Sequence, residues 1–501
     1  MTSHTPDDKS TTIFLMTTNP LFMITRTLLL VFAILFIAGL FTGCIQNNEP
    51  ETQAPQVTSP VTTNAVTTPS ASSTTITTTP ALIAFVDRAV QYARENGREN
   101  AIATFNDPDG IFSTGNLYIF AEDYNGTALA EPFEHEIAGT NILDITDTFG
   151  TPVVRNLGET ARFGKGFVSY AYPNPHNNYM VEQKLSVVAD VDGTYYVGAG
   201  FYASDGDIYP SVVLNTSGKQ PDIGDLVAYV KSTVACARAN GKEKSLAVFN
   251  DPHGPFVQGQ LVVMAFDFNG TNLASPPYAP EVALNRINLI NYHDPDGVDT
   301  IRGMRDLAKQ GGGVFYTVAK VTVDGKEIYL PKIDYAEPVD DTWWLFSGII
   351  DPEYTQAATG NLTGIPVRTH TRVELFKLVS DAVTFAQSNG KEKTLAVIND
   401  PEGQFVNGDL YVWAESADGT LLADPFWKSG IGQNYIDFTD IYGMETTRVG
   451  IDAMQNGTGF YHALFPNTAE NGTAFVPKLI FMKPVDGNWW IGGGVYGIEV
   501  G

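Results

Sequence analysis

The stretch "GKEKSLAVFNDPHG", residues 241–254, returns as "GKEKTLAVINDPEG" at 390–403 with eleven of fourteen positions identical. A more diverged version, "GRENAIATFNDPDG", occupies 97–110 and keeps eight of fourteen against the first. In every version ten residues lead from the opening glycine to the Asp of Asp-Pro: Asp107, Asp251 and Asp400. Asp-Pro-x-Gly is a turn signal, because proline fixes φ and glycine takes the permissive position. It does not read as a calcium loop, since the alternating acidic ligands of an EF-hand are missing. The opening glycine follows Asn96, Asn240 and Asn389. Asn-Gly is a helix ending, so the stretch marks one joint that the chain uses three times.

Upstream of the first joint lies "LIAFVDRAVQYARENG", in which Leu82, Phe85, Val86, Ala89, Val90 and Ala93 recur at helical spacing. That period predicts a long amphipathic helix. Downstream come "NLYIFAEDYNGTALA", "QLVVMAFDFNGTNLA" and "DLYVWAESADGTLLA", each with Asn-Gly or Asp-Gly between apolar runs. These read as hairpins. A variable middle is followed by a glycine-led strand ("GFVSYAYPNP", "GVFYTVAKVTV", "GFYHALFPNTA") and a closing hairpin such as "PKLIFMKPVDGNWWIGGGVY". One long helix followed by antiparallel strands and little else predicts an α+β unit with the helix packed on a single sheet. The unit recurs about every 145 residues, far above solenoid periods, so the copies are tandem domains. A chain of 501 residues fits three at about 150 residues each.

Composition narrows the function. Lys and Arg number 30 against 56 Asp and Glu, a net charge of −26, which repels a phosphate backbone and excludes nucleic acid as a partner. Fourteen apolar residues, "LLLVFAILFIAGLF" at 28–41, are too few to span a bilayer and suit a signal peptide. Thr42-Gly43-Cys44 then resembles a lipoprotein lipobox, which implies cleavage after residue 43 and lipidation at Cys44; an uncleaved signal anchor is the alternative. Asp7 and Asp8 sit where a signal peptide should be short and positive, so translation is expected to start at Met23. From Glu51 to Pro80, 19 of thirty residues are Ser, Thr or Pro, the composition of a flexible or glycosylated stalk. Residues 1–43 are thus expected to be leader and 44–80 linker. Cys236, in "TVACARAN", lies on an apolar helical face and reads as a small core residue.

The ordered set of long helix, "NDPxG", "LYIFAEDYNGT", "GFVSY" and closing "VDGxWWIGGGVY" resembles the single-Cache domain family, PAS-like extracytoplasmic sensors of bacteria and archaea. The resemblance covers 81–205, 222–351 and 370–498. It implies three tandem PAS-like domains, each with a sheet whose concave face, closed by loops, holds a small ligand. By the same resemblance the strand after the Asp-Pro turn faces the pocket with Tyr118 and Phe120 in the first copy and Tyr411 and Trp413 in the third. Val262 and Met264 replace them in the second. The glycine-led strand supplies Tyr170; Thr317 and Ala463 hold the matching places, with Tyr316 and Tyr461 as the nearest substitutes. Lys184, Lys332 and Lys478 open the closing hairpin alike, and an ammonium beside an apolar pocket suits a small carboxylate. An amine is the other ligand class considered.

No HExxH, G-x-S-x-G, Walker loop or cysteine pair is present, so neither a catalytic site, a metal, a cofactor nor an enzyme is expected. Two functions remain. One is a surface-anchored, extracytoplasmic, sensor-like binding protein without an output domain of its own, which passes its signal to a membrane partner. The other is a structural or adhesive envelope glycoprotein that uses the copies as spacers, with six N-x-[ST] sequons to carry glycans. The acidic composition, Thr-rich stalk and tandem units resemble an archaeal lipoprotein.

Overall fold

The computed structural model describes residues 77–501 apart from 207, 210, 213, 215–217, 276–285 and 471. The apolar run 28–41, Cys44 and the stretch 51–76 lie outside the described residues. No described helix is long and apolar enough to cross a membrane.

The periodicity forms the long helices Thr79–Asn96, Ile223–Asn240 and Arg372–Asn389. All six apolar positions read from the first pattern are buried, and Cys236 is buried in the second helix. Each helix stops at a glycine, Gly97, Gly241 or Gly390, with φ of 78°, 80° and 82° and ψ near 160°. That region of backbone space is essentially open to glycine alone. The chain breaks there and at once begins a second helix, Arg98–Phe105, Lys242–Phe249 or Lys391–Ile398. The Asp of each Asp-Pro then folds its carboxylate onto the backbone two residues on (Asp109, His253 and Glu402 N, 2.9–3.0 Å), the turn expected.

The middle segments correct the expectation of one helix and little else. They carry helices Val153–Arg162, Thr300–Lys309 and Thr446–Asn456. Their β-branched first residues and unrelated sequences hid the pattern. Each packs on the sheet and covers the face opposite the long helix.

The strands make three antiparallel sheets of one plan, with the opening and closing hairpins side by side at the centre. The third reads Val406–Asn407, Leu410–Ser416, Trp489–Tyr496, Phe475–Asp486, Phe460–Pro466, with Leu421–Ala423 also on Leu410–Ser416. The first reads Lys165–Asn174, Met180–Asp190, Tyr195–Tyr202, Phe120–Asp123, Ala128–Ala130. Alternation along each strand sends one set of side chains to the long helix and the other to the opposite face.

The copies are stitched together by strands. Asn288–Asn291, from the second copy, pairs in parallel with Lys165–Asn174 and extends the first sheet. Glu499–Val500, from the third, pairs antiparallel with Ile328 and Tyr329 of the second. The second and third copies also meet through a reciprocal pair of contacts. Tyr316 and His462 hold the same register, one residue before the partner of the hairpin lysine. Tyr316 Oη donates to Asp440 Oδ2 of the third copy at 2.7 Å, and His462 Nε2 lies 3.0 Å from Asp294 Oδ2 of the second. Asp294 and Asp440 are themselves equivalent, each accepting two backbone N–H groups of its own loop.

Candidate functional site

In the third copy the concave face encloses a cavity of about 330 Å³, a size suited to a small organic molecule. Tyr411, Trp413 and Glu415 reach it from one strand because they alternate along it. Tyr461 and Phe465 come from the glycine-led strand, Lys478 from the closing hairpin, and Trp490 and Tyr496 from its second arm. Trp427, Tyr435 and Phe438 form the loop wall, and Thr446 and Thr447 come from the middle helix. The repeated joint helps to place one more group: Asn399 Oδ1, of "NDP", accepts from Asp424 N at 3.1 Å, and Asp424 lines the cavity.

The polar groups divide between two ends. At one, Lys478 is 4 % exposed; its Nζ donates to Tyr496 Oη at 2.9 Å and makes no ion pair among the described residues. It lies 4.3–4.8 Å from the ring centres of Tyr411, Trp413 and Tyr496. Burial lowers its pKa to about 7, against the pull of Asp424 and Asp409. At the other end Glu415 Oε1 accepts from Trp413 Nε1 at 3.0 Å. Burial raises the Glu415 carboxyl to about 8 and raises Asp424 as well. Glu415 Oε2, Trp490 Nε1 and Thr446 Oγ1 are buried with no hydrogen-bond partner among the described residues. An orphaned buried donor or acceptor costs about 1–3 kcal/mol, so three around one cavity invite an occupant that satisfies them.

The first copy has the same polar set and almost no room. Tyr118, Phe120, Glu122, Glu131, Tyr170 and Lys184 surround about 20 Å³, enough for one water. Register identifies the cause, since Tyr170 pairs with Lys184 as Ala463 pairs with Lys478. The Tyr170 ring stands at the closed face where the third copy has the small Ala463, and its hydroxyl is held by Ser186 Oγ at 3.0 Å. Leu157 stands where the third copy has Gly450, a place that Tyr461 and Met482 take up there. A Cβ at Gly450 would come within 2.8 Å of the Tyr461 ring. The polar atoms of the first copy also satisfy one another: Tyr196, the equivalent of Trp490, donates its hydroxyl to Glu122. Lys184 donates to Tyr118 Oη at 2.9 Å. Burial lowers Lys184 to about 8, raises Glu122 to about 7, and raises Glu131.

The second copy is filled by rings. Phe266 stands where the others have Glu122 and Glu415, and Phe346 where they have Gly198 and Gly492. Phe266, Trp344 and Phe346 stack with centroids 5.3–5.9 Å apart. Lys332 pairs with the buried Asp334 rather than with an open cavity.

The structure therefore brings together Tyr411, Trp413, Tyr461 and Lys478 around one cavity, and Tyr118, Phe120, Tyr170 and Lys184 around a closed one. It leaves Lys332 apart, and Tyr316 faces the third copy's Asp440 instead of a site of its own. Sequence reasoning missed Glu415, Asp424 and Trp490. The first was legible, since Tyr411, Trp413 and Glu415 alternate just as Tyr118, Phe120 and Glu122 do. So was the second, as "AEPF" and "ADPF" put an acid at the same place in two copies. Trp490 carried no signal, because its neighbour Trp489 is equally aromatic and only the register tells which faces the cavity.

A family model described as Single Cache domain 2 matches residues 73–210 and 371–500, together more than half of the chain. The sensor histidine kinase MctS of Rhizobium johnstonii is 35% identical over 89 residues, 18% of this chain and 19% of that protein. The chain thus spans about a fifth of that relative. Among solved structures, a methyl-accepting chemotaxis protein from Vibrio parahaemolyticus is 23% identical over 25% of this chain and 86% of its own, with a TM-score of 0.23. A Cache chemosensory domain whose title concerns carboxylic acid recognition is 20% identical over 25% and 92%, with a TM-score of 0.22.

Proposed function

Because the chain belongs to the Single Cache domain 2 family, a family of ligand-binding sensor modules, we propose that it is an extracytoplasmic sensor whose third copy takes up a small molecule. The observation that carries this reading is the trio of orphaned polar atoms around the third cavity, Glu415 Oε2, Trp490 Nε1 and Thr446 Oγ1. Their counterparts in the first copy are satisfied or apolar: Glu122 and Tyr196 bond each other, and Val153 replaces Thr446. Uptake then rests on Tyr411, Trp413, Tyr461 and Lys478, while Tyr118, Phe120, Tyr170 and Lys184 form a closed core. The stacked rings of the second copy favour a spacer role for that copy alone. In this reading Cys44 carries a lipid that holds the protein at the cell surface, beside a membrane partner that relays its state.

Thermal unfolding against a panel of small carboxylates, amines and amino acids tests the proposal. A native-state ligand at a hundredfold excess over Kd stabilises by about 2.7 kcal/mol, which is visible as a rise in Tm. A rise that is lost in Lys478→Met supports the reading. A well-folded sample that responds to nothing in the panel favours the spacer role for all three copies.

A further inference from the structure

The third cavity is bipolar, and its two ends have opposite chemical demands. At one end Lys478 donates one hydrogen bond among the described residues, to Tyr496 Oη. An ammonium has three donors, so two remain for an entering acceptor. Glu415 also presents a carboxyl oxygen to the cavity, and Thr446 a hydroxyl, both buried and both without a hydrogen-bond partner among the described residues. Both of these atoms can accept. Between the ends stand the faces of Trp413 and Tyr461, surfaces that tolerate methylenes and attract cations.

Lys478 Nζ lies 4.8 Å from the centre of the Trp413 ring, and the Nε1 of the same ring donates to Glu415 Oε1 at 3.0 Å, so the indole stands between the two charges. One small group cannot serve both ends. A simple carboxylate would pair Lys478 and leave Glu415 Oε2 orphaned. A simple amine would satisfy Glu415 and add a second cation to a cavity that already holds Lys478, leaving the Lys478 donors with no acceptor of their own beyond Tyr496 Oη among the described residues.

We propose that the third copy recognises a small zwitterion, its carboxylate held by Lys478 and Tyr496 and its cationic nitrogen by Glu415 and Thr446 across the aromatic wall. This rests on the proposal that the third copy is the binding site, and it specifies the ligand class. The first copy could not make the same discrimination, because Tyr196 already occupies Glu122.

A matched set tests it on the full chain in detergent: butanoate, butylamine, 2-aminobutanoate and 4-aminobutanoate, titrated by calorimetry. At least one of the two amino acids should bind ten-fold or more tightly than butanoate and butylamine. Glu415→Gln, nearly isosteric, should erase that preference, read as the ratio of amino-acid to butanoate affinity. Butanoate binding as tightly as both amino acids, with no effect of Glu415→Gln, would overturn the zwitterion while leaving the binding site standing. Preference for butylamine would overturn it too. Silence from all four, together with silence across the wider panel, would remove the binding site itself. The ligand comparison on the unmodified chain decides the matter even if the variant fails to fold.

Discussion

The first and third copies present nearly the same polar residues to their concave faces, yet one encloses about 20 Å³ and the other about 330 Å³. Lys184 matches Lys478, Glu122 matches Glu415 and Glu131 matches Asp424. The differences include two apolar exchanges, Tyr170 for Ala463 and Leu157 for Gly450, and, beside Val153 for Thr446, the polar exchange of Tyr196 for Trp490. Of the apolar exchanges, Tyr170 for Ala463 changes the bulk on the concave face, while at Gly450 the space is taken by Tyr461 and Met482. The polar one decides whether the acid is already engaged. A binding site in this fold is therefore not marked by its charged residues, which a closed copy keeps, but by what has been removed beside them.

The sharpest way to break the comparison is to close the open copy. Ala463→Tyr should place a ring where Tyr170 stands in the first copy and abolish binding, a loss of at least a hundredfold by calorimetry, with Tm changed much less. The reverse exchange should show the cost of opening. Tyr170→Ala removes a buried ring in the first copy and should destabilise it by about 3–5 kcal/mol, read as a lowered Tm, without affecting affinity at the third. Smaller still, Tyr316→Phe leaves Asp440 Oδ2 without its donor from the second copy and should cost about 1–3 kcal/mol. Asp440 begins the turn that leads to Thr446 and Thr447, so the same variant also asks whether the second copy braces the cavity wall.

The pH dependence sharpens the comparison from another side. Glu122 and Glu415 have carboxyls raised to about 7 and about 8, above their ordinary value of 4.5. Between 4.5 and those values the folded chain binds more protons than the unfolded one, so their contribution to stability falls as pH rises. Tm measured without ligand should drop between pH 5 and pH 7, above which the lowered Lys478 works in the opposite direction, and Glu415→Gln should flatten part of that slope. A slope unchanged by the variant would show that Glu415 does not titrate as its burial implies.

Much of this was legible in the chain. The helix faces and the Asn-Gly endings could be read because period and cap chemistry are local. The aromatic alternation of Tyr411 and Trp413 was equally local. The middle helices were not legible, since Val153-Val154, Thr300-Ile301 and Thr446-Thr447 begin them with residues that favour strands. Nor were Asn288–Asn291 and Glu499–Val500, whose partners lie in other copies and whose own sequences say nothing of them. The position of Ala463 could be aligned with Tyr170 from the glycine spacing. Its meaning could not, because the absence of a ring becomes a cavity only when the neighbours fail to collapse into it, and that depends on Gly450, Tyr461 and the cavity wall together.

Tryptophan gives the most direct test of the claim that the third copy alone is the site. The chain has six tryptophans: Trp413, Trp427 and Trp490 line the third cavity, Trp343 and Trp344 lie in the second copy, and Trp489 lies outside the cavity lining. Protein labelled with fluorotryptophan, with each fluorine resonance assigned by single Trp→Phe variants, would be titrated with 4-aminobutanoate and 2-aminobutanoate. The account predicts that the resonances of Trp413, Trp427 and Trp490 move together and saturate at one equivalent while those of Trp343 and Trp344 stay in place. A rise in Tm with the three cavity resonances unmoved would contradict it and put the ligand elsewhere.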